Sequence, residues 1–317
     1  MADSTRARSA YSRRQVVRTA IISSLAFAAA SGANRHRMAS ASAQATPEPA
    51  AAYARPDLLV SANWLLEHRD AADLVVVGMI SPGPFAKAHI PGSMQIDWPE
   101  LEIVDTSPLG IDAWQSQIAA ILGQAGITPE STVVAYDDGT LFAPRLWWVL
   151  HYLGHEQVHV LDGGLAAWQA AGGEVGAGNA AIKPVGIYGG TPNPAVLATY
   201  EEVLDSLDKP GISIVDARTA AEYAEGHIPG AVNVHYTENT VPDSPLFWKP
   251  APELLELYAA VGVTPDQRVI PYCYSGVKSA VDFFTLHLLG YDDVALFTGS
   301  WNEWSTMPGA PIETGTG

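Results

Sequence analysis

Cysteine is almost absent from this sequence: Cys273 is the only one in 317 residues. A single thiol excludes an internal disulfide, a CxxC redox pair and a cysteine-based zinc cluster. Basic residues are scarce as well, with 17 lysines and arginines against 34 acids and a formal charge of -17. Nucleic-acid binding rests on clustered Lys and Arg, so this balance argues against a phosphate-backbone partner. It also means that a site for a small anion must be built locally, against the overall field. No run reaches the roughly 18 to 20 consecutive apolar residues of a membrane span. The sequence does hold apolar material. At 48% hydrophobic and 16% charged it can fill one or two soluble cores, and its length predicts two domains.

Much of the basic charge lies at the start. Residues 1–45 hold Arg6, Arg8, Arg13, Arg14, Arg18, Arg35 and Arg37 against one acid, Asp3. The paired arginines of "SRRQVVR" precede the apolar stretch Thr19 to Ala33, and small residues follow at "ASAQA", Ala41 to Ala45. Basic region, short apolar region and small-residue cleavage site is the order of an export signal. The pattern resembles a twin-arginine signal, which implies a periplasmic or extracellular mature protein and the twin-arginine export machinery as a targeting partner. A thiol in such an oxidising compartment must be used or hidden.

The rest of the chain repeats itself. "HIPGSMQI" (His89 to Ile96) recurs as "HIPGAVNV" (His227 to Val234). The run from Val133 to Trp168 aligns without a gap to that from Val269 to Trp304, placing Tyr136 on Tyr272, Gly154 on Gly290, Gly163 on Gly299 and Trp168 on Trp304. Two copies of one domain are predicted, residues 56–172 and 194–311, joined over 173–193 by a Gly- and Pro-rich extended linker. Each copy reads as a polar helix ("SANWLLEHR", "TYEEVLDSL"), an apolar strand ("DLVVVGM", "ISIVDAR"), a loop with the HIPG turn, and a helix ("AWQSQIAAILGQAG", "APELLELYAAVG"). A β-rich run ("STVVAY", "QRVIPY"), a loop, a long amphipathic helix, a final strand and a helix carrying Trp complete it. Short apolar strands alternating with helices predict an α/β fold with a mostly parallel sheet flanked by helices.

In such sheets ligands sit at the carboxyl ends of strands. Cys273 stands there, between "RVIPY" and the helix "SAVDFFTLHLLG". Gly276 permits a tight turn, and backbone N–H groups in that turn, with a helix dipole behind them, favour a thiolate or an oxyanion. Lys278 adds a cation in the same loop. A core cysteine is the bland alternative, and the flanking Gly, Ser and Lys argue against it. The first copy has Asp137 where the second has Cys273, and a carboxylate cannot do the chemistry of a thiol, so that copy reads as catalytically silent.

The tandem copies together with "IVDAR", "GHIPGAVNV", "YCYSGVKSA", "HLLGYDDV" and "GSWNEW" resemble the two-domain rhodanese family over roughly Pro56 to Pro311. That resemblance implies two tandem rhodanese-like domains and a sulfurtransferase. Sulfur would pass from thiosulfate or 3-mercaptopyruvate through a Cys273 persulfide to cyanide or a thiol, with no metal or organic cofactor. By it Cys273 is the nucleophile, and Tyr274, Ser275, Gly276, Val277 and Lys278 cradle the sulfur. Arg218 matches an arginine that engages the anionic donor, with Asp216 ordering its loop. The first copy's "VVVGMI" lacks both charges. His227, Trp301 and Trp304 read as structural, and Arg145, Trp147 and Trp148 as packing for the first copy's long helix.

The loop departs from both subtypes. Tyr274 and Ser275 replace the two basic residues that thiosulfate-using relatives often carry, and Lys278 stands where mercaptopyruvate enzymes typically have Thr; the restored charge favours an inorganic donor. A cysteine phosphatase needs an arginine six positions after the cysteine, where this chain has Ser279, and a longer loop. A sulfur carrier or persulfide-binding module that serves only a protein partner is the non-catalytic alternative.

Overall fold

A computed structural model describes residues 53–181 and 186–316. The export segment expected over 1–45 lies outside the described residues. The first copy runs β1 (Leu59–Val60), α1 (Ala62–His68), β2 (Leu74–Gly78), α2 (Pro82–Phe85), β3 (Met94–Gln95), α3 (Pro108–Gln124), β4 (Thr132–Tyr136), α4 (Ala143–Tyr152), β5 (Val158–Leu161) and α5 (Gly164–Ala170). The second repeats this order as β6 (Leu197–Ala198), α6 (Tyr200–Ser206), β7 (Ile212–Asp216), α7 (Ala220–Glu225), β8 (Val232–Asn233), α8 (Ala251–Ala260), β9 (Arg268–Tyr272), α9 (Ser279–Leu288), β10 (Leu296–Phe297) and α10 (Ser300–Trp304).

Capping chemistry starts several of these helices: Ser61 receives the Trp64 N–H, and Thr199 receives the Glu202 N–H at the matching place in the second copy. α3 begins at Pro108 rather than at Ala113, because Ser107 caps it and Pro108 is preset for a first turn. The loop before each HIPG turn holds a short helix, α2 or α7, the latter started by a Thr219–Glu222 capping box.

All described strand pairs are parallel. The first sheet has the order β1-β5-β4-β2-β3. In the second, β8-β7-β9 and β10-β6 are joined by a parallel bridge between Val269 and Val294, which restores the same order. The central strands are near-continuous apolar runs because helices cover both faces. Residues 173–181 and 186–193 form no regular element and lie along the first copy. Gly176 bridges His89, and the Gly178, Tyr188 and Thr191 N–H groups bond Ala86, Ala119 and Leu153 carbonyls.

The expectation of an amphipathic long helix in each copy is corrected. Nine of ten residues of α4 and all ten of α9 are buried. The two helices pack against each other, so the face that would meet water in an isolated copy meets the other copy instead. Trp147 crosses Phe284 edge-on at 5.0 Å between ring centres, and His151 meets its repeat counterpart His287 at 5.0 Å. One apolar cluster therefore runs through both copies, from Trp114 and Trp148 to Phe283 and Leu286.

Candidate active site

In the second sheet Asp216 is in register with Tyr272 on one side and Asn233 on the other, so three strand ends lie together at the carboxyl edge. Cys273 is the next residue after β9 and is buried, 1% exposed. Its amide donates to Ser300 Oγ at 3.1 Å, and its carbonyl accepts the Trp301 N–H at 3.0 Å. The Tyr274 carbonyl accepts from Asn302 N–H at 3.0 Å. The start of α10 thus grips both ends of the peptide that carries the thiol.

The loop then closes tightly. Gly276 has φ +74°, and a Cβ there would stand 2.8 Å from the Thr298 backbone, so only glycine fits. The six N–H groups from Tyr274 to Ser279 have no hydrogen-bond acceptor among the described residues. The first copy shows what this backbone does when filled. There Asp137, at the cysteine's place, accepts the Gly139 N–H at 2.8 Å and the Ala143 N–H at 3.0 Å with its own carboxylate. Burial raises the Asp137 pKa, and those amides work against the shift. The carboxyl group held in the turn of the first copy thus occupies the place that the Cys273 thiol takes in the second.

Around Cys273 the charges are arranged in layers. Arg218 is 3% exposed; its Nε and Nη2 bond the two Asp216 oxygens at 3.0 and 2.6 Å, and Nη2 also bonds the Gly226 carbonyl at 2.6 Å. Its guanidinium lies 4.4 Å from the Trp301 ring and 5.4 Å from the ring of Tyr274. Burial works to lower the Arg218 pKa, but the Asp216 carboxylate prevails and raises it. Asp216 also receives the Tyr272 hydroxyl at 2.5 Å. Burial, and then Asp216, holds that phenol well above its usual pKa. Lys278 is half-buried, with Nζ 5.2 Å from the Tyr236 ring and no carboxylate within 4.0 Å among the described residues. Burial, and then Lys278, lowers the His235 pKa.

The structure therefore brings Cys273, Tyr274, Ser275, Gly276, Val277 and Lys278 into one turn, with Tyr274 outermost at 41% exposure. Arg218 stands in the wall beside Tyr274, already paired, rather than in the open. His227 stacks on Tyr223 at 3.7 Å and bonds its carbonyl, just as His89 does with Phe85. Trp304 and Trp168 each donate Nε1 to a carbonyl downstream and pack the last helix of their copy. Trp301 differs, forming the lid over Arg218.

Two contributors were not identified from the sequence. Ser300 holds Cys273, and Arg145 does more than pack α4: it is fully buried and extends Nη1 across to the Gly276 carbonyl at 3.4 Å. A usable signal existed for the second, since Arg145 aligns with Val281, a charge where the other copy is apolar.

Comparison with known proteins gives the family. The rhodanese-like domain model matches residues 61–171 and 199–307. A thiosulfate sulfurtransferase of Pseudomonas aeruginosa is 32% identical, over 81% of this chain and 97% of its own length. A 3-mercaptopyruvate sulfurtransferase of Escherichia coli is 34% identical, over 80% of this chain and 97% of its own. The crystal structure of the E. coli 3-mercaptopyruvate enzyme SseA superposes with a TM-score of 0.67 over 78% of this chain and 99% of that one, at 34% identity. With both of its repeats matched, the chain belongs to the rhodanese family of sulfurtransferases.

Proposed function

We propose that this protein transfers a sulfane sulfur by a double displacement at Cys273. The Cys273 thiolate attacks the outer sulfur of thiosulfate; the S–S bond of the donor breaks and sulfite leaves with the electron pair. The resulting Cys273 persulfide anion is then attacked at its outer sulfur by cyanide or a thiolate, which restores the Cys273 thiolate. For cyanide the product is thiocyanate. No proton need be moved in the thiosulfate and cyanide halves, so no general base is required.

The observation that carries this reading is the pair of equivalent turns. The amides that in the first copy hold the Asp137 carboxylate have, in the second, a cysteine in front of them and no internal acceptor. A backbone nest of this kind stabilises the persulfide's negative outer sulfur. Lys278, lacking a carboxylate partner among the described residues, can meet a donor's charge, which favours thiosulfate over 3-mercaptopyruvate. Arg218 contributes through its position beside Tyr274. The arginine-rich segment at residues 1–45 supports export through the twin-arginine machinery to the periplasm or beyond.

The test is to supply thiosulfate and 3-mercaptopyruvate in turn, with cyanide, and to follow thiocyanate for the purified protein and for Cys273→Ala. Thiocyanate formed by the first and abolished in the second is expected, with thiosulfate the better donor. Absence of turnover from both donors, with Cys273 reduced and accessible by mass spectrometry, would replace this reading with a sulfur carrier.

A further inference from the structure

We infer that Arg145, a residue of the first copy, supplies the counter-charge for the sulfur anion on Cys273 across the interface between the copies. This rests on the reading of Cys273 as a sulfur-carrying thiolate. Arg145 would then be an electrostatic positioning residue, and the copy without a nucleophile a working part of the active site.

The argument starts from the cost of burial. A guanidinium removed from water needs a negative partner, and an unpaired buried charge is among the most destabilising features a fold can carry. Arg145 is 0% exposed, yet among the described residues it has no carboxylate within 4.0 Å. Its hydrogen bonds go to neutral groups only: Nη2 to the Leu101 carbonyl at 2.5 Å and Nη1 to the Gly276 carbonyl at 3.4 Å. Its guanidinium carbon lies 4.6 Å from the centre of the Trp148 ring. Nε is buried with no partner at all among the described residues.

The groups facing it decide what the missing partner is. α4 presents Trp148, the loop after β3 presents Leu101 and Glu102, and the Cys273–Lys278 turn presents Gly276. Burial pushes the Arg145 pKa down to about 9, still protonated at neutral pH, and the negative charges that resist the shift are Cys273 first and Glu102 second. Glu102 is partly solvated, so the sulfur is the more effective of the two. The same hydrogen bond ties Arg145 to the turn itself, through the Gly276 carbonyl. In the second copy the matching position is Val281, so this charge is present on one side of the interface only.

The test reads the thiolate without any sulfur donor, so its failure and that of the proposed reaction are distinguishable. Alkylation of Cys273 by iodoacetamide is followed against pH in wild type, Arg145→Gln and Arg145→Lys, with circular dichroism to confirm folding. Gln keeps donors for the two carbonyls and removes the charge. Its alkylation midpoint is expected to rise by about one pH unit or more, and Lys to restore most of the difference. A folded Arg145→Gln protein with an unchanged midpoint overturns the inference. If Arg145→Gln does not fold, Cys273→Asp and Cys273→Asn are compared instead. The Asp protein, which mimics Asp137, is expected to melt above the Asn protein; an equal or reversed order overturns the inference.

Discussion

Ser300 sits at φ 53°, a left-handed conformation that costs a non-glycine residue roughly 1–2 kcal/mol. Its counterpart in the first copy is Gly164, at φ +54°, where the same turn is made without that cost. The second copy keeps serine because the hydroxyl bonds on two sides, receiving the Cys273 N–H and donating to the Phe297 carbonyl at 2.8 Å. Ser300→Ala removes the hydroxyl, leaves a buried N–H unpaired, and keeps the strain; a loss of about 1–3 kcal/mol is expected. Ser300→Gly loses the same hydrogen bonds but regains roughly 1–2 kcal/mol of conformational energy, so its stability should lie within about 1 kcal/mol of wild type. Both should lose sulfur transfer by about tenfold or more, since Cys273 is no longer held at its amide. Urea unfolding gives the stabilities and thiocyanate release the rates. Alanine as stable as glycine, or wild-type turnover in either variant, would refute the reasoning.

Asp216→Asn leaves the Arg218 guanidinium buried and unpaired and weakens the hydrogen bond from the Tyr272 hydroxyl; a loss of about 3–5 kcal/mol in urea unfolding is expected. Gly276→Ala forces a Cβ onto the Thr298 backbone at a positive φ; the fold should survive in circular dichroism while thiocyanate formation drops by about two orders of magnitude. His287 is buried with its pKa pushed down to about 3, by burial first and then by His151 and Arg55. Its folded pKa lies below the unfolded value, so its stabilising effect is complete above pH about 6.5 and declines as pH falls towards 3, the loss reaching about 2 kcal/mol by pH 5. Asp282, raised to about 8 by burial, acts in the opposite direction as pH rises. The measurement is therefore a difference: His287→Phe should flatten the fall in urea midpoint between pH 7 and pH 5, and an unchanged slope counts against the assignment.

Most of the fold is legible in the sequence because its signals are local and occur twice. Apolar strands such as "LVVVG" and the recurrent HIPG turn need only a few neighbouring residues to be read, and the cysteine at a strand end follows from the strand–helix alternation. The burial of α4 and α9 is not legible in this way. Their exposed-looking positions are covered by the other copy, through pairs of residues more than a hundred apart in sequence, as for Trp147 and Phe284. The same limit hid Arg145, whose partner Gly276 is 131 residues away. It hid Ser300 too, since a strained φ leaves no trace in residue type. Arg218 was visible as a charge in "VDAR", but its pairing with Asp216 depends on side-chain geometry that the motif does not specify.

The seam between α4 and α9 has a consequence for inheritance as well as for unfolding. A duplicated domain normally retains the freedom to be excised, recombined or lost on its own. Here neither copy keeps that freedom, because removing either would expose a helix that is now buried, with Trp147 on α4 and Phe283 and Phe284 on α9 turned out to water. The pair should melt in one cooperative transition despite its two sheets, and half-chains should be soluble only when produced together. The seam thus binds the copy without a cysteine to the copy that has one, through a single apolar cluster.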